Sequence, residues 1–138
     1  MNIKECLDKG LLRKGPVEKP KIQGSLDLAE HFLERAQGIM TQKYYDIAFT
    51  TAYNSMFHSA RALLFSKGYS ERSHYCMIIA LKAEFDNELA PFFDALDAYR
   101  MLRHSVQYSG AACGESEAKE AIGDAAGFLT AARKKLGK

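Results

Sequence analysis

The chain has 138 residues, 47% hydrophobic and 26% charged, with three prolines and no tryptophan. A single domain of this size buries roughly two-thirds of its unfolded surface, so it can hold a core without staples. The formal net charge of +2 is too small to imply nucleic-acid binding through bulk electrostatics, and the longest apolar run, Cys76–Leu81, is far short of the roughly 20 residues that span a bilayer.

Residues 1–24 carry six cations against three anions, a weak excess that reads as a solvated, partly flexible arm. Within it Asn2–Leu12 can form a short amphipathic helix, after which Gly15, Pro16 and Pro20 break the chain. The N-terminus is charged and lacks the apolar stretch of a secretory signal. Cys6, Cys76 and Cys113 are odd in number and widely spaced, which reads as free thiols in a reducing compartment. A cytoplasmic protein without a membrane span is expected.

From residue 25 onwards apolar positions recur at three- and four-residue steps, and no segment alternates with the period of a strand. Leu26–Met40 is the first long helix predicted, with Ser25 placed to cap it. Tyr44–Lys67 is the most regular: Tyr45, Phe49, Tyr53, Met56, Phe57, Ala60 and Leu64 make its stripe, and Gly68 stops it. A shorter helix covers His74–Phe85. The next begins at Ala90–Pro91, where proline suits a first turn, and reaches Tyr108. Ser109–Gly114 is a loop of small residues, and Ser116–Leu136 is the last helix, stopped by Gly137. Four long helices with short connections predict an all-α fold, an antiparallel four-helix up-and-down bundle over residues 25–138 with a short extra N-terminal helix.

No Gly-rich phosphate loop, metal-spaced Cys/His set or nucleophile elbow is present, so neither a metal nor a cofactor is expected. The anomaly lies in "YRMLRHSVQY", residues 99–108. On a helical wheel Arg103 falls within about 60° of Tyr99, inside the arc of Phe92, Ala95, Leu96, Leu102 and Val106. Arg100, His104 and Gln107 lie on one flank, and Tyr108 lies opposite. An unpaired buried guanidinium costs several kcal/mol. Arg103 therefore pairs internally, snorkels to water near the helix end, or faces a groove that receives an anion. Thr51, Asn54, His58 and Arg61 form a polar line on the second long helix, which is either its wet face or the facing wall of such a groove. His74 opens the third helix, as a first-turn residue or as part of the same groove.

Together these stretches resemble the HEPN family of small all-helical proteins, in particular a branch of stand-alone prokaryotic members. The resemblance rests on "YYDIAFTTAYNSMFHSARALLFSKG" (44–68), on His74 after a polar turn, on "RHSVQY" (103–108) and on "AIGDAAGFLTAARKKL" (121–136), and covers about residues 25–136. It implies a four-helix bundle, commonly dimeric, whose arginine motif lines a cleft between two subunits. It implies nucleotide or RNA phosphate binding near Arg100, Arg103, His104 and Tyr108, with Asn54, His58, Arg61 and His74 nearby. It also implies a minimal nucleotidyltransferase as partner in a toxin–antitoxin-like or defence system. HEPN ribonucleases carry an arginine, then four to six intervening residues, then a histidine. Here Tyr108 stands at that place and Gln107 replaces the usual acid. A metal-independent RNA endonuclease is thus the alternative reading, with Arg103, His104 and Tyr108 as its candidate catalytic groups. Phe92, Phe93, Tyr99, Phe57 and Tyr53 offer more aromatic surface than one small bundle should bury, a further reason to expect a homodimer.

Overall fold

A computed structural model of the chain describes residues 1–110 and 112–138; of the small-residue loop expected at 109–114, Ala111 lies outside the described residues. Six helices and two three-residue strands follow one another among the described residues: α1 (Ile3–Asp8), β1 (Leu12–Lys14), α2 (Lys19–Thr41), α3 (Tyr45–Ser66), β2 (Tyr69–Glu71), α4 (His74–Glu84), α5 (Ala90–Tyr108) and α6 (Glu115–Leu136). The fold is all-α, with α2, α3, α5 and α6 as its long helices.

Local chemistry explains most of the boundaries. Asn2 caps α1 by accepting from the Glu5 amide at 2.9 Å, and Ser73 caps α4 by accepting from the Cys76 amide. Pro91 sits in the first turn of α5. Gly68 follows α3 with φ of +81°, a left-handed conformation that other L residues adopt only at a cost. A Cβ there would also overlap the Gly15 carbonyl oxygen. The start of α2 departs from the sequence expectation. The helix begins at Lys19, with Pro20 in its first turn, because proline is compatible with an N-terminal turn whose amides lack partners anyway. Ser25 is not a cap but a buried residue inside the helix.

α3 is the central element. Its small residues let α2 approach closely: Ala29 and Ala36 of α2 and Ala52 and Ser59 of α3 are fully buried, and the Ser55 hydroxyl donates to the Ala29 carbonyl at 2.7 Å. Phe49, Met56 and Leu63 of α3 join Phe93 and Leu96 of α5 and Phe128 and Leu129 of α6 in one core. The aromatic side chains invoked for a second copy mostly find their partners within the chain: Phe92 stacks on Phe128, Tyr99 meets Phe49 edge-on, and Phe93 is fully buried. Other apolar side chains are exposed, among them Ile47, Met101, Leu102 and Tyr108. Leu102, expected on the inner arc of α5, is half exposed, because Tyr99 is the last residue of α5 that the core encloses.

The first 24 residues hold more order than the arm expected there. β1 pairs antiparallel with β2, Leu12 opposite Glu71 and Lys14 opposite Tyr69, and Cys6 and Leu12 are buried. That pairing brings α1 against α4, and Cys6 forms a disulfide with Cys76, their Cα atoms 5.8 Å apart. The expectation of three free thiols is therefore corrected: among the described residues only Cys113 is free. Two cysteines separated by 70 residues give no sequence signal of contact until the fold folds the intervening helices back. No described helix is long and apolar enough to cross a membrane.

Reducing the bond, or replacing Cys6 with Ser, should lower unfolding free energy by about 2–4 kcal/mol. Paired urea melts with and without reductant measure it, and coincident melts would show that the bond contributes nothing.

Candidate functional site

The outer end of α5 faces the middle of α3 and the start of α4, and five side chains converge there. Asp97, Arg100 and Arg103 lie at three-residue steps and so share one face of α5. Tyr53 comes from α3 and His74 from α4. The Arg103 guanidinium lies 4.9 Å from the Tyr53 ring centroid, a cation–π arrangement. Its Nε is buried and has no hydrogen-bond partner. His74 Nε2 lies 3.2 Å from an Asp97 carboxylate oxygen, with the imidazole almost enclosed and the carboxylate largely exposed. Among the described residues, that contact is the only one a carboxylate makes at the cluster, and neither Arg100 nor Arg103 pairs with a carboxylate.

The electrostatics follow from this placement. Burial lowers the His74 pKa below 6.5, Arg100 and Arg103 add to the effect, and Asp97 opposes it by charge and hydrogen bond. Burial raises the Tyr53 hydroxyl above 10.0, while Arg103 and Arg100 pull it back. At neutral pH the cluster thus presents two guanidiniums, a neutral imidazole held by a carboxylate, and a protonated phenol. Beside it, Arg100–Ser105 line an open hollow of about 370 Å³. His104 and Tyr108 stack toward one another on the outer side, their rings 5.0 Å apart, and Tyr108 is exposed.

The polar line of α3 is divided by its neighbours. His58 stacks on Phe32 of α2, centroids 5.5 Å apart, and Arg61 Nε pairs with a Glu71 carboxylate oxygen at 3.0 Å while lying over Phe57 and Phe65. These two serve the α2–α3 and α3–β2 contacts; neither acts on the electrostatics of the cluster as Arg100 and Arg103 do. Asn54 is half-buried, one position past Tyr53. Sequence reasoning missed two members. Tyr53 was absorbed in the apolar stripe, and Asp97 was passed over although its spacing from Arg100 and Arg103 placed it on their face. Among the described residues no group of three His, Cys, Asp or Glu side chains is arranged to hold a metal ion.

A long-helix bundle carrying two unneutralised arginines on one outer face is the class of protein this structure defines. A family model for the HEPN domain matches residues 22–135, and the chain belongs to that family. Among curated proteins, "Putative toxin MJ0605" of Methanocaldococcus jannaschii is 36% identical over 80 residues, 58% of each chain. "Putative toxin MJ0142" of the same organism is 27% identical over 93 residues, 65% of this chain and 63% of that protein. The chain thus spans about three-fifths of the length of these relatives.

Both His58 and His74 titrate below the ordinary 6.5, His58 through burial and then Arg61. The unfolded chain therefore binds protons that the folded chain refuses, and stability rises with pH wherever that holds. The contribution of these two histidines is expected to be full well above pH 6.5 and to be lost as pH falls through and below that value. Urea midpoints at about pH 7.5 and about pH 5.5 check this, and a His58→Asn/His74→Asn variant should lose much of the difference.

Proposed function

We propose that this HEPN protein acts as a dimeric, toxin-type binding module whose cleft at Arg103 takes the phosphate of a nucleotide or of RNA. The observation that carries the reading is the buried, unpartnered Nε of Arg103 with no carboxylate paired to its guanidinium. A cation in that state offers a planar donor set suited to phosphate oxygens, and Arg100 adds charge beside it. Stacking on Tyr53 holds the guanidinium without neutralising it. The relatives named as toxins support a toxin–antitoxin-like setting, in which a minimal nucleotidyltransferase is the proposed partner. The exposed apolar residues Ile47, Met101, Leu102 and Tyr108 supply the face on which a second copy would close the cleft.

Replacing Arg103 with Ala should weaken binding of a nucleoside monophosphate or short RNA roughly 10- to 100-fold, the scale of one charge-assisted contact. Lys at that position should recover only part, since the planar fork is lost. Unchanged affinity in Arg103→Ala, with an unchanged melt, would remove the cleft from consideration. Sedimentation should show a dimer at micromolar concentration, and Leu102→Asp should shift it to monomer.

A second reading, RNA cleavage without a metal, is favoured by one feature. His74 is held by Asp97 beside two arginines, so an imidazole with a depressed pKa could move a proton where the arginines stabilise a phosphorane. Single-stranded RNA incubated with the protein in EDTA decides between the two. Cleavage lost in both Arg103→Ala and His74→Asn supports the enzyme, and intact RNA supports the binding module.

A further inference from the structure

Of the six cations in the first 24 residues, three are brought together by the fold at one pocket away from the Arg103 cleft. β1 runs into a turn that is bound to the end of α3: the Gly15 amide donates to the Gly68 carbonyl at 2.8 Å, and the left-handed Gly68 leaves room for the Gly15 backbone. This joins two segments that are far apart in sequence and leaves a pocket of about 210 Å³ between them and the start of α2. Arg13, Lys14 and Lys21 line it. The one carboxylate in the lining, Glu18, is already paired with Lys21 at 3.3 Å. Lys14 is held with its Nζ 4.4 Å above the Tyr69 ring, and Arg13 makes no ion pair among the described residues.

The helix entering the pocket does not offset the imbalance. α2 has no acid in its first turn, and its N-cap residue, Glu18, makes no side-chain cap hydrogen bond. Three cations therefore line one concavity with a single, already engaged, counter-charge. Phe65 and Tyr69 form an apolar floor. Phe65 lies twelve residues beyond Tyr53 on α3, so this pocket is separated from the Arg103 cleft by about 18 Å along the helix.

We infer that this pocket is a second anion site, built for a phosphate group, independent of the cleft at Arg103. A free nucleotide and the backbone of a polynucleotide present the same chemistry, and the measurement separates them. Amide NMR spectra of the full chain are recorded while inorganic phosphate, a nucleoside 5′-monophosphate or a short oligouridylate is added. Saturable shifts are expected at Lys14, Gly15, Gly68 and Ser70. An Arg13→Gln/Lys21→Gln variant, altered only at exposed side chains and verified as folded by its own spectrum, should bind about tenfold more weakly for each cation removed. If the oligonucleotide alone saturates the shifts, the ligand is a polynucleotide backbone. Its log affinity against log salt should then lose about 0.7 of slope per cation removed. If phosphate or the monophosphate suffices, the ligand is nucleotide-sized. The shifts should persist in Arg103→Ala protein, so failure of the cleft leaves this pocket testable. Absence of shifts at these amides with all three ligands, or equal affinity in the double variant, overturns the inference.

Discussion

The close approach of α2 to α3 is the constraint on which the other placements depend. Fully buried small residues line it, and the Ser55 hydroxyl donates to the Ala29 carbonyl in the buried interior. A larger side chain at Ala29 or Ala52 would push the helices apart, and interiors at native density accommodate such insertions poorly. Because α3 is clamped on that side, its opposite faces are free to receive α5 and α6. The position of Tyr53, and so of everything assembled over its ring, is set by a seam of small residues on the other side of the helix.

On this frame the two groups of arginines play different parts. Arg61 is paired with Glu71 and covered by two aromatic rings, a cation whose charge is used up in holding β2 to α3. Arg103 also lies over an aromatic ring but lacks a carboxylate. A quadrupole orients a guanidinium yet leaves its charge and most of its N–H groups available. Of two arginines with similar stems and similar rings, then, the acid on a neighbouring element decides which one is neutralised.

How far the sequence carried depends on whether a feature is periodic or spatial. The long helices were legible because their apolar residues repeat at helical steps, and Gly68 and Gly137 marked ends that they do occupy in left-handed conformation. Pro20 misled, since the same residue breaks a helix interior and suits a first turn. The arginine face of α5 could be seen on a wheel, but Tyr53 could not be told from its apolar neighbours. His58 and Arg61 looked like a wet face because nothing in α3 itself announces Phe32 or Glu71 opposite them. The disulfide was illegible for the same reason: contact between residues 6 and 76 exists only after β1 has paired with β2.

That bond divides the chain topologically. Residues 6–76 form a covalent ring containing α2 and α3, while α5 and α6 hang outside it as a tail. A cut in the exposed turn at 42–44 would open the ring without releasing either piece. The aromatic half of the candidate cleft, Tyr53, belongs to the ring and both arginines to the tail. Apart from the backbone running on from residue 76, the two halves are held in register by packing and by polar links such as His74–Asp97 and Arg133–Glu30.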